Sequence, residues 1–438
     1  MRTLVSVLLF LVSLIAFPGA VVAAGPVEGK VTNIQNKFPD EIVFSAEASS
    51  SAGDIRSLVL HLKVGERSAE RYGTISITPA RSVQGEYRMK TGADSFLPAG
   101  ADITYWIEAE DSAGNKLTTD EGQFWYADAR FQWKKLQEGP VTVYYYGNAD
   151  NVARQVTQAA NDVREKIGKM LGVDARPFKV MLYNSVPDII GAQQPEASET
   201  RRRELIRAGV AYSGPDLVQV LGVGSFGAAD TARHEIGHLF VNWAGGGGVP
   251  AWLNEGLAVW SQNDPGSEYR GALQAAIASN QLLLLRGLGS FPGLSDENIL
   301  AYGQSWSVID FLVTKYGPDK MRKLLETIRA GDGVDKGLKD QYALTIDELD
   351  AAWRAKVGAP PRSYESTAPT PIAMPVIAPI GAAPPPPPGS GSSSAGGSVA
   401  SSNPAGTYGL LIGAGVFGLV FVLLLMGVAL VFVKRRAS

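Results

Sequence analysis

The stretch ARHEIGHLFVNWAGGGGVPAWLNEGLAVW, Ala232–Trp260, holds two of the three histidines in the 438-residue chain. His234 and His238 are four residues apart, which on an α-helix places them on one face, one turn apart. Two imidazoles so placed can reach a single metal ion. Glu235 projects about a quarter-turn away and can reach a water at that ion rather than the ion itself. This is the spacing His-Glu-x-x-His, in which the histidines bind zinc and the glutamate serves as general base. The flanks DTARHEIGHLFVNW supply Ile236, Leu239 and Phe240 for packing, so a helix is expected.

A catalytic zinc takes three protein ligands and keeps a fourth position open. Glu255, in PAWLNEGLAVW, is the expected third ligand. The run Gly245–Gly248 lets the chain turn back so that this second helix faces the first. Trp252, Leu253, Leu257 and Trp260 mark a partly buried helix, where a carboxylate without a partner is costly. A metal partner removes that cost. The expected set is therefore His234, His238 and Glu255 on Zn2+, with Glu235 as the catalytic residue.

HEIGH followed by NEGLA resembles the gluzincin zinc metallopeptidases, the peptidase MA-like group related to aminopeptidase N and thermolysin-like enzymes. The resemblance runs over residues 139–358, about half the chain. It implies an α+β zincin-type metallopeptidase domain, the same three zinc ligands, and Glu235 as base and then acid. It also implies a tyrosine on a later helix that stabilises the oxyanion. AYGQSWSVIDFLVTKYG (Ala301–Gly317) occupies that region, with Tyr302 the first candidate and Tyr316 the second. Three departures matter. The Gly-x-Met-Glu-Asn element of aminopeptidase N-like enzymes is absent, which favours endopeptidase over aminopeptidase action. The segment between His238 and Glu255 is glycine-rich and slightly short. Gln262 stands where an acid that orients the ligands is expected, and Asp230 is the substitute candidate.

Around this core the chain reads as multidomain. Over 25–135, Arg56–Val64, Tyr72–Ala80, Ile103–Asp111 and Gly122–Asp128 alternate apolar and polar residues, as strands with one buried face do. Such spacing predicts an all-β sandwich, and YWIEAEDSAGN resembles late strands of immunoglobulin-like or fibronectin-like modules. His61, on one of these strands, is assigned no role. From Gly139 onward, strands are expected at Val141–Gly147, Phe178–Asn184 and Asp216–Val223, with a helix over Ala149–Gly172. Asp216–Val223 is expected to offer an edge that an extended peptide can join. Mostly helical sequence follows, including a capping box at Thr345 with Glu348.

Residues 1–24, with Arg2, an apolar run from Leu4 to Phe17, Pro18-Gly19 and Ala23-Ala24, have the three-part form of a secretory signal peptide. Residues 366–408 are a Pro/Gly/Ser-rich linker. Residues 409–433 carry no charge and are long enough to span a bilayer, with Gly409 and Gly413 as a small-xxx-small pair. Lys434, Arg435 and Arg436 then assign 434–438 to the cytoplasm and the folded domains to the outside of a single-pass membrane protein.

Composition excludes several classes. A net charge of −3 with 45% hydrophobic residues gives no basic surface for nucleic acid. Arg201, Arg202 and Arg203 read as a solvated helix face. The absence of cysteine removes disulfides and thiol nucleophiles. The partners expected are a peptide or protein substrate and the membrane. The competing expectation is a non-catalytic, surface-anchored binding protein that keeps a relic zinc domain.

Overall fold

The computed structural model describes residues 25–66, 68–194, 208–223, 227–291 and 295–364. The expected signal peptide, linker, membrane span and cytoplasmic tail, and the arginine run at 201–203, lie outside the described residues. No helix among the described residues is long and apolar enough to cross a membrane. The described chain divides into two compact units, 25–161 with 176–235 and 162–175 with 236–364.

In the first unit, β1 (Val27–Lys37), β2 (Glu41–Ser50) and β5 (Ser82–Lys90) form a three-stranded antiparallel sheet ordered β1-β2-β5. A second antiparallel sheet runs β4 (Arg71–Thr74), β3 (Ile55–Val64), β6 (Asp102–Asp111), β7 (Lys116–Thr118), with β8 (Gly122–Trp125) also paired to β6. Alternation explains their packing. Phe44 and Ala46 from one sheet meet Leu58, Leu60, Ile103 and Ile107 from the other in one buried cluster. The strand expected over Tyr72–Ala80 ends at Thr74, and Pro79 in its second half has no N–H to give a ladder. His61 lies on this sheet with Nδ1 2.6 Å from Glu70 Oε1 and its ring stacked 5.1 Å from Trp106.

The same unit carries a five-stranded mixed sheet built from β9 (Lys134–Glu138), β10 (Val141–Tyr145), β11 (Phe178–Tyr183), β12 (Gly209–Tyr212) and β13 (Leu217–Leu221), in the order β12-β13-β11-β10-β9. β10, β11 and β13 are mutually parallel, and β9 and β12 run antiparallel at the two ends. Every residue of β13 is buried, as expected of a strand covered on both faces. Leu217–Leu221 is therefore interior, bonded to β12 on one side and β11 on the other, and the expectation that it offers an edge is corrected. Among the described residues that edge belongs to β12. Trp125 stacks on Tyr144 with centroids 4.4 Å apart, and Lys179 pairs with Asp102, so the sandwich is packed against this sheet. Helices α1 (Asp150–Val163), which ends in the second unit, and α3 (Val186–Ile190) complete this unit, while the π-turn at Arg164–Gly168 and α2 (Lys169–Leu171) belong to the second unit.

The second unit is helical. Its other elements are α4 (Gly227–Gly245, which begins in the first unit), α5 (Ala251–Ser261), α6 (Ser267–Ala278), α7 (Ser295–Tyr316), α8 (Pro318–Arg329), α9 (Gly333–Tyr342) and α10 (Ile346–Lys356). Thr345 accepts the Glu348 N–H while the Glu348 carboxylate accepts the Thr345 N–H, a reciprocal cap at the start of α10.

Candidate metal centre

His234, Glu235 and His238 lie on α4 and Glu255 lies on α5. The turn between the helices uses Gly246, whose φ of +71° favours glycine. Close approach of the helices then depends on Gly237, inside the HEIGH motif. A β-carbon there would lie 2.9 Å from Ser261 Oγ and 3.2 Å from Ala258 Cα. Ala258 is one turn beyond Glu255 on α5 and Gly237 adjoins His238 on α4, so the contact that needs glycine also brings the carboxylate to the histidines. One ligand atom from each of His234, His238 and Glu255 lies within 4.8 Å of the others, and all three residues are buried.

The donor set fits a metal ion. His238 Nδ1 is 3.0 Å from Asn254 Oδ1, so an Nδ1–H donated to that oxygen leaves the Nε2 lone pair facing Glu255. Nε2 is 3.5 Å from Glu255 Oε1. Two lone-pair donors then face each other, an arrangement that a cation between them would relieve. Burial pushes the His238 pKa down to about 4, against a smaller opposing effect of the Asn254 hydrogen bond, so near neutral pH that cation is not a proton on His238. Two imidazoles and a carboxylate are a ligand set that suits a tetrahedral zinc site with one open position.

Asn254 was not singled out in the sequence, although its position beside Glu255 on a buried helix is a usable signal. The expected substitute Asp230 pairs with Arg233 at 2.8 Å. Gln262 is buried at the end of α5, where its backbone oxygen accepts from Lys166.

Tyr302 is buried on α7, stacked on Tyr269 at 5.5 Å and edge-on to Phe291 at 5.0 Å. Helix α7 crosses α5 where Gly256 meets Ser305, since a β-carbon on Gly256 would lie 2.6 Å from the Ser305 carbonyl oxygen. Tyr302 is thus about 4.5 Å along the helix from the crossing beside Glu255, whereas Tyr316 is about 16 Å away at a rise of ~1.5 Å per residue. Tyr316 instead packs edge-on to Phe311 and Tyr342.

Residues 159–359 match the family described as the Peptidase MA superfamily, and the match takes in both histidines, Glu235, Glu255 and Tyr302. It supports a peptidase MA-like domain over those residues. No curated protein matches the chain. Among solved structures, the chain is similar to the sulfane dehydrogenase SoxCD from Paracoccus pantotrophus at 17% identity, over 20% of this chain and 23% of that one, with a TM-score of 0.16. It is similar to wild-type OgpA from Akkermansia muciniphila at 15% identity, over 24% and 28%, with a TM-score of 0.18. Similarity to the Legionella pneumophila aminopeptidase A complex with aspartic acid is 10% over 75% and 49%, with a TM-score of 0.33. The chain spans about a quarter of the length of the first two, and at these TM-scores none of the three carries an argument about fold or function.

Proposed function

We propose that the chain is a zinc-dependent endopeptidase of gluzincin type, anchored in a membrane with its folded domains outside the cytoplasm. The observation that carries the reading is the buried cluster of His234, His238 and Glu255 with Glu235 on the same helical turn. His234, His238 and Glu255 would hold the ion. When bound, zinc supplies a Lewis acid that polarises a carbonyl and acidifies water to a pKa of about 7. Glu235 takes a proton from the attacking water and returns it to the leaving amine as the C–N bond breaks. Asn254 holds the His238 ring in the tautomer that presents Nε2. The absence of the Gly-x-Met-Glu-Asn element, which would hold a free α-amino group, favours cleavage within chains. The anchoring reading rests on residues 1–24 and 409–438 of the sequence, where a leader is followed by a charge-free span and a basic end.

Chelation tests the reading. The purified chain should cleave an unstructured protein, lose that activity on removal of metal, and regain it with zinc. A chain that stays inactive with zinc restored would be the binding protein of the competing expectation.

Tyr302 supplies the hydroxyl that stabilises the oxyanion in this reading, a donor about 3 Å from the developing charge. Tyr302→Phe keeps the ring against Tyr269 and Phe291 and removes the hydroxyl. The expected result is a ~10²-fold fall in kcat with zinc content and folding retained. An unchanged kcat assigns Tyr302 to packing alone.

A further inference from the structure

Gly209 opens β12, the strand that ends the five-stranded sheet among the described residues. A β-carbon built on it would lie 2.5 Å from Glu235 Cγ, 2.8 Å from Oε1 and 2.9 Å from Cδ, so its three nearest neighbours all belong to the Glu235 side chain. The backbone of Gly209 is not left-handed, so any residue type could adopt it. What this position requires is the absence of a side chain.

The two sides of this contact differ in how they can yield. The strand is held in place. β12 is hydrogen-bonded to β13 in the register Gly209↔Val220 to Tyr212↔Leu217. Tyr212 packs on Phe96 with ring centroids 5.9 Å apart. The turn beyond it is pressed against the sandwich, where a β-carbon on Gly65 would lie 2.9 Å from Pro215 Cα. Glu235, by contrast, meets Gly209 with the outer part of a side chain that turns about three single bonds. A methyl group at 209 is therefore accommodated by moving the carboxylate and not the strand.

We propose that Gly209 is a positioning residue whose missing side chain leaves the space in which the Glu235 carboxylate is held for proton transfer. The proposal rests on the reading of Glu235 as general base. It separates two properties that substitutions in a packed site ordinarily change together. The fold and the metal ligands keep their places when a side chain is added at 209, and the base loses its own.

The test is Gly209→Ala in the full chain, alone and combined with Glu235→Gln, with zinc content, thermal unfolding, and kcat and KM on a fluorogenic peptide as readouts. The single variant should retain zinc and cooperative unfolding and keep KM, while kcat falls by on the order of 10²-fold, the cost of ~1 Å of misplacement. In the Glu235→Gln background the same alanine should cost nothing further, because the base it displaces is already gone. An unchanged kcat overturns the proposal. So does loss of zinc or of cooperative unfolding, or an equal loss in both backgrounds, since each places the effect in the fold. Near-normal turnover by Glu235→Gln alone rejects the base reading itself, whatever alanine does at 209.

Discussion

Glu235→Gln is expected to bind zinc as the parent chain does and to lose at least ~10²-fold in kcat, the contribution of a positioned general base. Gln keeps the length of the side chain and its place beside Gly209, but it cannot take a proton from water. Because Glu235 belongs to no member of the ligand cluster, metal content and unfolding temperature should not follow the activity down. Metal analysis and steady-state rates on one preparation check both halves. Near-normal turnover would show that the proton goes elsewhere.

His234→Ala and His238→Ala are expected to act on the ion instead. Each removes one of three ligands, so zinc retained through dialysis should fall from about one ion per chain to close to none, and activity should fall with it. A thermal readout adds an independent check. A ligand that binds the folded chain only raises its stability, so a chelator should lower the unfolding temperature of the parent chain. The alanine variants should start from the lower temperature and show no further response. The His238 variant also leaves Asn254 without its 3.0 Å imidazole partner inside the protein, so it is expected to unfold below the metal-free parent chain. An alanine variant that keeps stoichiometric zinc would remove that histidine from the ligand set.

The resolution between local and long-range information is visible residue by residue. The His234–His238 pairing could be read from the chain because helical spacing is local: four residues make about one turn whatever surrounds them. The capping box at Thr345 and Glu348 is local in the same sense. Interior strands such as Ile55–Val64 and Asp102–Asp111 announce themselves by alternation, since one of their faces is buried. The strands not expected from the sequence differ in how much of that mark they carry. Ser82–Lys90 does alternate Val83, Tyr87 and Met89 with polar residues, but Gly85 in its middle weakens the pattern, whereas Val27–Lys37 is mostly polar and its register shifts between Val31 and Asn33, as suits a strand that ends its sheet. Gly209–Tyr212 is four residues long and begins with a glycine, which argues against a strand on propensity alone.

By itself, then, the sequence determined which residues can bind a metal and which carboxylate stands next to them, because those relations are set by the pitch of one helix and by a glycine-rich turn. The tertiary structure alone decided the rest. It placed Asn254 on the His238 ring, put the crossing of α5 and α7 close to Tyr302 and far from Tyr316, and gave the sheet edge to β12 rather than to Leu217–Leu221. It also placed Gly209 against Glu235, two residues 26 positions apart. Such contacts depend on how separate elements pack, and no periodicity within one segment encodes the distance from its side chains to those of another.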